Sequence, residues 1–336
     1  MPFASLIGND RIKKLLQRAV SDGRIGQSLL MAGPRGVGKY QFALALAQSL
    51  NCEQVTSGDA CGRCIPCRKI AHNEHADVRT ILRESQDPLV KKDNRSQFIK
   101  IEQTRLMSEQ AQFRPYEGLR RIFILDDAEW LRREAANSLL KTLEEPPDTS
   151  LIILITPKPF ALIDTIRSRC LLLSFAPLPT AEIEQHLVNL KNAPEEARLR
   201  ARLSGGSIGR AIEIDLAEYR EMRNILLELL DSLAFSRSSA SLMSAAEYLG
   251  RKIEKDEFER HLEALTVLLG DLLRLKLHDH ADSLTNGDVI ERLQRIADAL
   301  STESIVRLAG GIEDVFRDLP RNINRHLAME SILIQA

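Results

Sequence analysis

The sequence has 336 residues, which is too long for one ordinary core and predicts two or three domains. Hydrophobic residues make up 44% and charged residues 28% of the chain, a balance that excludes an intrinsically disordered protein. The 46 basic and 47 acidic residues give a net charge of −1, and only 4% of residues are aromatic, which argues against a dedicated nucleic-acid binder or a base-stacking surface.

The N-terminal segment does not predict a secretory signal peptide. Its first residues, MPFASLIGNDRIKKLL, lack the apolar segment of a signal peptide, and no apolar run approaches the roughly 20 residues that span a bilayer. The sequence therefore predicts a cytoplasmic protein with no membrane association. In that compartment, five cysteines indicate metal binding or chemistry rather than disulfides.

Helical and strand-like patterns alternate from the beginning of the chain. Apolar side chains in residues 9–21 recur at helical spacing, and the short apolar run at 28–32 has the pattern of a buried strand. Helical spacing returns at residues 38–50. A helix, a strand and a second helix are therefore predicted in that order.

A glycine-rich segment, GPRGVGKY, joins this strand to the second helix. Gly33, Gly36 and Gly38 let backbone N–H groups surround a phosphate, and Lys39 is placed to reach the outer phosphates. The pattern indicates a phosphate-binding loop, and binding of ATP or ADP at it stays open. The next position, where a Ser or Thr hydroxyl holds Mg²⁺ in a Walker A loop, is Tyr40. Because its hydroxyl lies several ångströms further out, the magnesium site and hydrolysis are doubtful.

Four of the five cysteines form a cluster with the spacing C-x8-C-x2-C-x2-C. They are Cys52, Cys61, Cys64 and Cys67. Four thiolates at this spacing fit a closed tetrahedral Zn²⁺ site without a spare ligand position, which predicts a structural role. An iron–sulfur cluster is the alternative, although a ferredoxin-type run needs its fourth cysteine downstream and followed by proline. Cys170 stands apart among apolar residues and is predicted to serve packing.

The middle of the chain contains the most apolar segments. Residues 72–82 return to strand character, residues 84–97 are polar and predict a surface loop, and residues 101–112 show helical spacing. The runs 121–125 and 150–156 are apolar at nearly every position. Such runs are typical of strands in a parallel sheet that is covered on both faces.

Both of these apolar runs end in polar residues. Asp126 and Asp127 follow the first run as in a Walker B motif, in which Asp126 would hold Mg²⁺ and the second acid would polarise the attacking water. The second acid is ordinarily Glu, and Asp127 is one methylene shorter, which predicts displaced catalytic geometry. Thr156 ends the second run where a polar sensor would face the nucleotide. A solvated strand end is the alternative interpretation for all three.

Two arginines follow the helix predicted at 131–143, which stops at two prolines. Arg169 precedes the apolar run 171–173. Projected into a neighbouring molecule's nucleotide site, its guanidinium would raise the rate of phosphoryl transfer by about 10³ to 10⁵. Arg210 lies in the stretch GGSIGR at the start of a helix, from which it could contact a nucleotide as a sensor. A surface position is the alternative for each.

The character of the chain changes after a predicted linker at 176–179. No strand-like run follows, and long helical patterns take over. The predicted fold class is an α/β, P-loop NTPase-like domain with a parallel sheet, followed by helices. We expect three domains: the α/β domain at 1–175, a small helical domain at 176–214 and a larger helical domain at 215–336.

Several stretches together resemble the bacterial clamp-loader family of AAA+ proteins. They are QSLL before the phosphate loop, the cysteine insertion after the next helix, and the stretches AANSLLKTLEEPP, SRC and GGSIGRA. The resemblance is dense from about residue 3 to residue 212, whereas the C-terminal third matches the family's helical collar only in pattern. It implies an AAA+ domain with a zinc module, a helical lid and an oligomerisation collar.

The departures from the family pattern favour one of its branches. The motor subunits of the family, gamma and tau, carry intact nucleotide motifs, whereas its delta-prime subunits often carry degraded ones and no long C-terminal extension. Tyr40, Asp127 and an end at Ala336 therefore resemble the delta-prime branch. The resemblance implies a stator that hydrolyses no ATP and donates Arg169 to a neighbouring motor subunit.

The same resemblance implies the partners. They are gamma/tau and delta subunits in a pentameric ring and, through that complex, the sliding clamp and primer–template DNA, so that the chain would serve DNA replication within DNA polymerase III. Two other interpretations stay open. One is an active clamp-loader ATPase of the gamma/tau type, and the other is a zinc-containing DNA-binding regulator built on an AAA+ domain.

Overall fold

The computed structural model describes residues 2–83, 98–236, 239–277, 283–321 and 323–335. The surface loop predicted at 84–97 lies outside these residues. The chain divides into two units, which we call the sheet unit and the helical unit. The sheet unit contains Met1–Asn192 and Ser204–Ile212, and the helical unit contains Ala193–Leu203 and Glu213–Ala336.

Five parallel strands form the centre of the sheet unit. They are β1 (Ser28–Ala32), β2 (Val78–Ile81), β3 (Arg121–Leu125), β4 (Ser150–Thr156) and β5 (Leu171–Ser174). Their order across the sheet is β2-β3-β4-β1-β5. Every residue of β1 and β4 is buried, as expected for interior strands whose two faces are both covered.

Eight helices belong to the sheet unit in the residues that the structure describes. They are α1 (Asp10–Ser21), α2 (Lys39–Asn51), α3 (Ile65–Ala71), α4 (Ile101–Ala111), α5 (Arg133–Glu144), α6 (Asp164–Arg167), α7 (Thr180–Asn189) and, apart from its last residue, α9 (Ile208–Glu213). Short 3-10 turns occupy Phe3–Ser5, Ala128–Trp130 and Pro159–Ala161. The helix predicted at 131–143 starts later, at Arg133, because the 3-10 turn at Ala128–Trp130 is followed by extended backbone at Leu131.

An apolar cluster and a set of aromatic ring contacts join the sheet to its helices and to the N-terminal segment. Side chains of β3, β4, α4 and α5 form one buried cluster, which includes Phe123, Ile152 and Leu139. Phe42 of α2 lies between Phe3 and Phe175, and its ring centroid is 6.2 Å from the first ring and 4.9 Å from the second. The N-terminal segment is therefore packed against the same helix that follows the glycine-rich loop.

Helices alone form the helical unit in the part that the structure describes. They are α8 (Pro194–Leu203), α10 (Leu216–Asp231), α11 (Ser239–Glu247), α12 (Lys255–Lys276), α13 (Ile290–Ala299), α14 (Thr302–Asp318) and α15 (Arg325–Gln335), with short helical turns at Ser232–Ser236, Tyr248–Lys252, Gly287–Val289 and Leu319–Arg321. Leucines of α10 and α12 lie in its apolar core. The fully buried Asp271 accepts hydrogen bonds from the backbone N–H groups of Thr285 and Asn286, each at 2.9 Å, and so anchors the loop before α13.

The predicted fold class, a parallel α/β sheet followed by a helical part, is confirmed. The strands predicted at 28–32, 121–125 and 150–156 occur at those positions, and no strand follows β5 in the described residues. The same residues contain no helix with the length and apolar character to cross a bilayer.

Candidate functional site

Residues at the carboxyl ends of β1, β3 and β4 line a cleft of about 480 Å³ within the sheet unit. This volume lies in the ordinary range of small-molecule sites. Residues 5–7, residues 35–42, the two aspartates after β3 and parts of α7 and α9 form its walls. The topology thus brings together segments that are more than 200 residues apart in the chain.

The glycine-rich loop lies between β1 and α2, and the GGSIGR stretch packs directly on it. Gly36 has a φ of 70°, and a Cβ at this position would come within 2.2 Å of the Ser207 hydroxyl. The backbone N–H of Gly209 donates to the Gly36 carbonyl at 2.9 Å. Only glycine fits this close approach at a positive φ. Gly33 and Gly38 complete the loop, and Gly33 N–H donates to the Thr156 carbonyl at 3.3 Å.

Lys39, which is 6% exposed, points back onto its own loop. Its ammonium group donates to the carbonyls of Gly33 and Pro34, both at 2.7 Å. Burial lowers the pKa of Lys39, while the nearby carboxylates of Asp126 and Glu129 counteract this shift. An incoming phosphate would have to compete with two carbonyl oxygens for the lysine.

Tyr40 directs its hydroxyl towards the outer edge of the sheet. The phenol oxygen lies 3.0 Å from the Thr80 hydroxyl on β2 and 3.3 Å from the Asn73 side-chain oxygen. In a Walker A loop the short hydroxyl at this position faces the metal beside the phosphates. The phenol is instead engaged with residues 73 and 80.

The two acids after β3 differ in their partners. Asp127 has a φ of 54°, and its two carboxylate oxygens lie 3.4 Å from Arg35 and 3.2 Å from Arg83. Asp126 accepts the N–H of Asp127 at 2.9 Å. Burial, together with the neighbouring carboxylates, raises the pKa of Asp126. The acid in the water-polarising position is therefore paired with two guanidinium groups of its own chain.

Glu129 is the residue of this site that the sequence analysis missed. Its side chain is 7% exposed and accepts a hydrogen bond from the Thr156 hydroxyl at 2.9 Å and one from Arg35 at 3.1 Å. The proposed sensor Thr156 thus contacts this third acid. The available signal was the density of acids, with three carboxylates in the four positions from 126 to 129.

Arg169 lies on the surface between α6 and β5, outside the walls of this cleft. Its guanidinium forms an ion pair with Glu144 at 2.6 Å and donates to the Thr165 carbonyl at 2.9 Å. The Arg169 side chain keeps 33% exposure. Polar contacts with its own chain, including a longer one to the Ser168 hydroxyl at 3.4 Å, therefore orient this arginine at the surface. Glu144 was not singled out from the sequence, because its role depends on α5 and α6 meeting in the fold.

Arg210 is exposed on α9, and its backbone N–H donates to the Ser207 hydroxyl at 3.2 Å. The residues of α9 that line the cleft are Ile208, Gly209 and Ile212. Among the described residues, the cleft wall therefore contains neither of the two predicted arginines. A sensor role for Arg210 stays a prediction.

The four clustered cysteines come together at the start of α3. Their sulfur atoms all lie within 4.8 Å of one another. The sulfurs of Cys52 and Cys64 are 3.9 Å apart, close to the roughly 3.8 Å edge of a tetrahedron with metal–sulfur bonds of about 2.3 Å. The cluster has the geometry of a four-thiolate metal site.

Backbone N–H groups and burial act in opposite directions on these sulfurs, and burial raises the pKa of the Cys52 and Cys67 thiols. Cys52 accepts the N–H groups of Gln54 and Cys61, both at 3.3 Å. The N–H groups of Arg63 and Cys64 lower the pKa of the Cys61 thiol to about 6. Cys170 lies elsewhere, against the apolar cluster of the sheet, and burial raises the pKa of its thiol to about 12. Its surroundings fit the predicted packing role.

The family described as "DNA polymerase III, delta subunit" matches residues 8–179, more than half of the chain, and the one described as "DNA polymerase III, delta subunit, C terminal" matches residues 221–336. The chain belongs to the DNA polymerase III delta-subunit family. Membership confirms the resemblance found in the sequence and, with the parallel sheet, the AAA+ fold class.

Similar proteins come from both branches that the sequence analysis compared. The chain is 28% identical over 325 residues to the DNA polymerase III subunit delta' of Bacillus subtilis, and the match covers 96% of this chain and 94% of that protein. It is 34% identical over 218 residues to the tau subunit of Escherichia coli, covering 63% of this chain and 32% of tau. The chain thus spans nearly the whole of the first relative and about a third of the second.

Two of the solved structures that match this chain come from Thermotoga maritima and Bacillus subtilis. A gamma-subunit-related protein of Thermotoga maritima matches with 18% identity and a TM-score of 0.39, covering 96% of this chain and 97% of that one. The clamp-loader delta protein of Bacillus subtilis matches with 12% identity and a TM-score of 0.36, covering 95% of this chain and 98% of that one.

Proposed function

We propose that this chain is a clamp-loader stator of the delta-prime type, which hydrolyses no ATP and donates Arg169 to the nucleotide site of a neighbouring motor subunit. The near full-length similarity to the delta' subunit of Bacillus subtilis supports this branch of the family. The chemistry of the cleft and the setting of Arg169 support the division of labour.

The observation that carries the proposal is the pairing of Asp127. A carboxylate that polarises water needs a free oxygen directed at the nucleophile. Both oxygens of Asp127 lie beside guanidinium groups, those of Arg35 and Arg83. The Tyr40 hydroxyl, bonded to Thr80, cannot take up Mg²⁺ without leaving its partners. Two separate obstacles thus oppose hydrolysis in this cleft.

Arg169 is suited to act on another molecule. A guanidinium that stabilises a transferring γ-phosphoryl group must be exposed, and it acts best when its position is fixed in advance. Glu144 and the Thr165 carbonyl restrain two of its nitrogens. A guanidinium has five N–H donors, so donors remain for a phosphate oxygen.

The assembly that we propose is a five-membered ring with gamma/tau and delta subunits. In it the chain would help to open the sliding clamp and load it onto primer–template DNA. We propose residues 1–175 as the AAA+ domain, 176–214 as the lid and 215–336 as the collar that binds its neighbours. The large apolar core of the helical unit supports the collar assignment, because such a core lets a helical domain fold as a unit.

The four cysteines are proposed to hold a structural Zn²⁺ ion. Four sulfurs within 4.8 Å of one another can fill all four positions of a tetrahedral ion, which would leave no place for a substrate. When bound, the ion crosslinks the segment between α2 and α3. In the described residues this segment contributes little apolar core beyond the cysteines and Ala60.

The decisive experiment is ATP hydrolysis by the reconstituted complex with Arg169→Ala. We expect the complex to assemble normally, because the side chain is at the surface, and hydrolysis at the adjoining site to fall by about 10³-fold or more. Arg167→Ala is the matched control, since Arg167 is two positions away and pairs with Asp164. Equal ATP turnover in the Arg169 variant and the wild type would show that Arg169 does not act on the neighbouring subunit's nucleotide site.

Two assays on the purified chain test the other interpretations. The stator should show no ATP turnover alone, and robust magnesium-dependent turnover would establish a gamma/tau-type ATPase instead. The stator should also bind duplex DNA weakly, in keeping with the net charge of −1. Tight duplex binding with a steep salt dependence would favour the DNA-binding regulator.

A further inference from the structure

The N-terminal wall of the cleft is formed by a segment with little structure of its own. Ser5, Leu6 and Ile7 line the cleft, and Ser5 is the last residue of a 3-10 helix of only three residues, Phe3–Ser5. A single 3-10 turn has weak internal hydrogen bonding. Its position must therefore be fixed by contacts to the rest of the sheet unit.

Asp59 supplies the polar part of these contacts. One carboxylate oxygen accepts the N–H of Phe3 at 2.8 Å, and the other accepts the N–H of Ala4 at 2.9 Å. Hydrogen bonds to a charged carboxylate are about twice as strong as those between neutral groups. A single side chain thus receives both free N–H groups at the start of the turn. The buried Phe3 ring, packed on Phe42, supplies the apolar part.

Asp59 in turn is held by the cysteine segment. Asp59 and Thr56 exchange two backbone hydrogen bonds, of 2.9 and 3.0 Å, across a turn at Ser57 and Gly58. This turn lies between the metal-ligand candidates Cys52 and Cys61. Gly58, at a φ of 74°, lies so close to α1 that a Cβ would come within 1.9 Å of the Gln17 carbonyl oxygen. The turn is therefore fixed both to the cysteine cluster and to α1.

We infer that the cysteine module, residues 52–67, braces the N-terminal wall of the cleft, and that Asp59 is the positioning residue through which it does so. The chain of contacts runs from the four sulfurs to the turn, from Asp59 to the N–H groups of Phe3 and Ala4, and from there to the lining residues 5–7. The inference rests on the proposed function in one respect, namely that the cleft is a nucleotide site. It gives the metal module a role in ligand binding as well as in folding.

The test compares Asp59→Ala with Glu53→Ala in the full chain. Glu53 is the matched control because it is an exposed acid in the same module. In Asp59→Ala we expect unchanged metal content, faster hydrogen exchange at the amides of residues 3–7, and about tenfold weaker binding of a fluorescent ADP analogue. Exchange in β1 and β4 should not change. Asp59→Asn keeps one acceptor oxygen and should give an intermediate affinity.

Chelation of the metal provides the second arm. In the wild type, chelation should speed hydrogen exchange at residues 3–7 and weaken binding of the ADP analogue, as Asp59→Ala does. In Asp59→Ala, chelation should cause little further loss of affinity. Unchanged exchange at residues 3–7 in Asp59→Ala would overturn the inference, and so would faster exchange without loss of affinity. Failure of the wild type to bind the analogue would overturn the nucleotide part alone, since the stator proposal is tested separately by the Arg169 variant.

Discussion

At the scale of single residues, the cleft is organised by the way guanidinium groups and carboxylates are paired. Arg35, inside the glycine-rich loop, lies beside both Asp127 and Glu129. Glu129 in turn holds the hydroxyl of Thr156. The loop, the end of β3 and the end of β4 are thus joined by one polar network. In the proposed nucleotide site, Asp127, Glu129 and Thr156 are therefore already paired within the chain.

Glu144 gives the first prediction at this scale. Its ion pair with Arg169 is 2.6 Å long but leaves a third to a half of both side chains exposed, so its effect on stability should stay below about 1 kcal/mol. The effect of the ion pair on function should be larger, because the proposed contribution of Arg169 to the rate depends on where its guanidinium is held. We expect Glu144→Gln to leave assembly intact and to lower hydrolysis at the adjoining site by roughly tenfold.

The control for this variant is Glu145→Gln, which removes the same charge from the next position, which is also exposed. The measurement is the ATP hydrolysis rate of the reconstituted complex at saturating clamp and primed DNA. A rate in Glu144→Gln at or above that of the wild type would contradict the positioning role.

At the scale of elements, one buried carboxylate organises an exposed loop before β3. Asp77, fully buried, accepts the backbone N–H groups of residues 116–118 at 2.7 to 2.9 Å and pairs with Arg121 at 2.9 Å. The loop presents Tyr116 and Leu119 with 86% and 73% exposure. Their backbone is held although their side chains are not packed, because the loop's hydrogen bonds converge on buried polar side chains.

This arrangement predicts a pH dependence of stability. Burial alone would raise the pKa of Asp77, but the backbone N–H groups of residues 116–118 and the Arg121 guanidinium outweigh it and lower the pKa to about 2 from its ordinary 3.8. A carboxyl group whose folded pKa is depressed stabilises the fold above its unfolded pKa, and this contribution is lost as the pH falls through the folded value. The window is therefore about pH 4 to pH 2.

The expected size of the effect is roughly 2 kcal/mol in the free energy of unfolding of the sheet unit. Urea unfolding at several pH values in this window should show that the free energy of unfolding falls more steeply with falling pH in the wild type than in Asp77→Asn. The variant should be less stable than the wild type at pH 7. Asp148→Asn is the control, since this carboxylate accepts an exposed hydrogen bond from the Gln27 side chain at 2.9 Å. The same change of unfolding free energy with pH in the wild type and in Asp77→Asn would show that Asp77 does not cause this pH dependence.

The elements differ in how far the sequence predicted them, for physical reasons. β1, β3 and β4 were predicted at their observed bounds, because a strand buried on both faces must be apolar throughout. β2 and β5 are four-residue edge strands, and their patterns are too short to give bounds. Strand order was not predicted from the residues, since it depends on contacts far apart in sequence.

The residues of the candidate site also differ in how far the sequence predicted them. The glycine-rich loop, Asp126 and the four cysteines are local patterns whose chemistry can be inferred from spacing alone. Glu129, Glu144 and Asp59 were missed, because each acts through a partner at least 25 residues away, namely Thr156, Arg169 and Phe3. Such pairs become visible only when the fold brings the elements together.

At the scale of the whole molecule, the two units have separate sources of stability. The helical unit has its own large apolar core. The sheet unit has the cluster around β3 and β4, together with the cysteine module that joins α2, α3 and the N-terminal segment. A change at the cysteines should therefore act on one unit and leave the other unit's folding intact.

Cys64→Ser tests this expectation and the metal assignment together. Structural zinc sites contribute on the order of 10 kcal/mol, comparable to the entire stability of a domain, so loss of one ligand should abolish binding of one zinc per chain and strongly lower the melting temperature of the sheet unit. Calorimetry should still show cooperative unfolding of the helical unit near its wild-type temperature. Cys170→Ser is the control, because the partly buried Cys170 packs against the apolar cluster of the sheet, away from the other four cysteines, and its substitution should leave metal content unchanged. Iron bound to the wild-type protein would show that the cysteines hold an iron–sulfur cluster instead of zinc. Full metal content in Cys64→Ser would show that Cys64 is not a metal ligand.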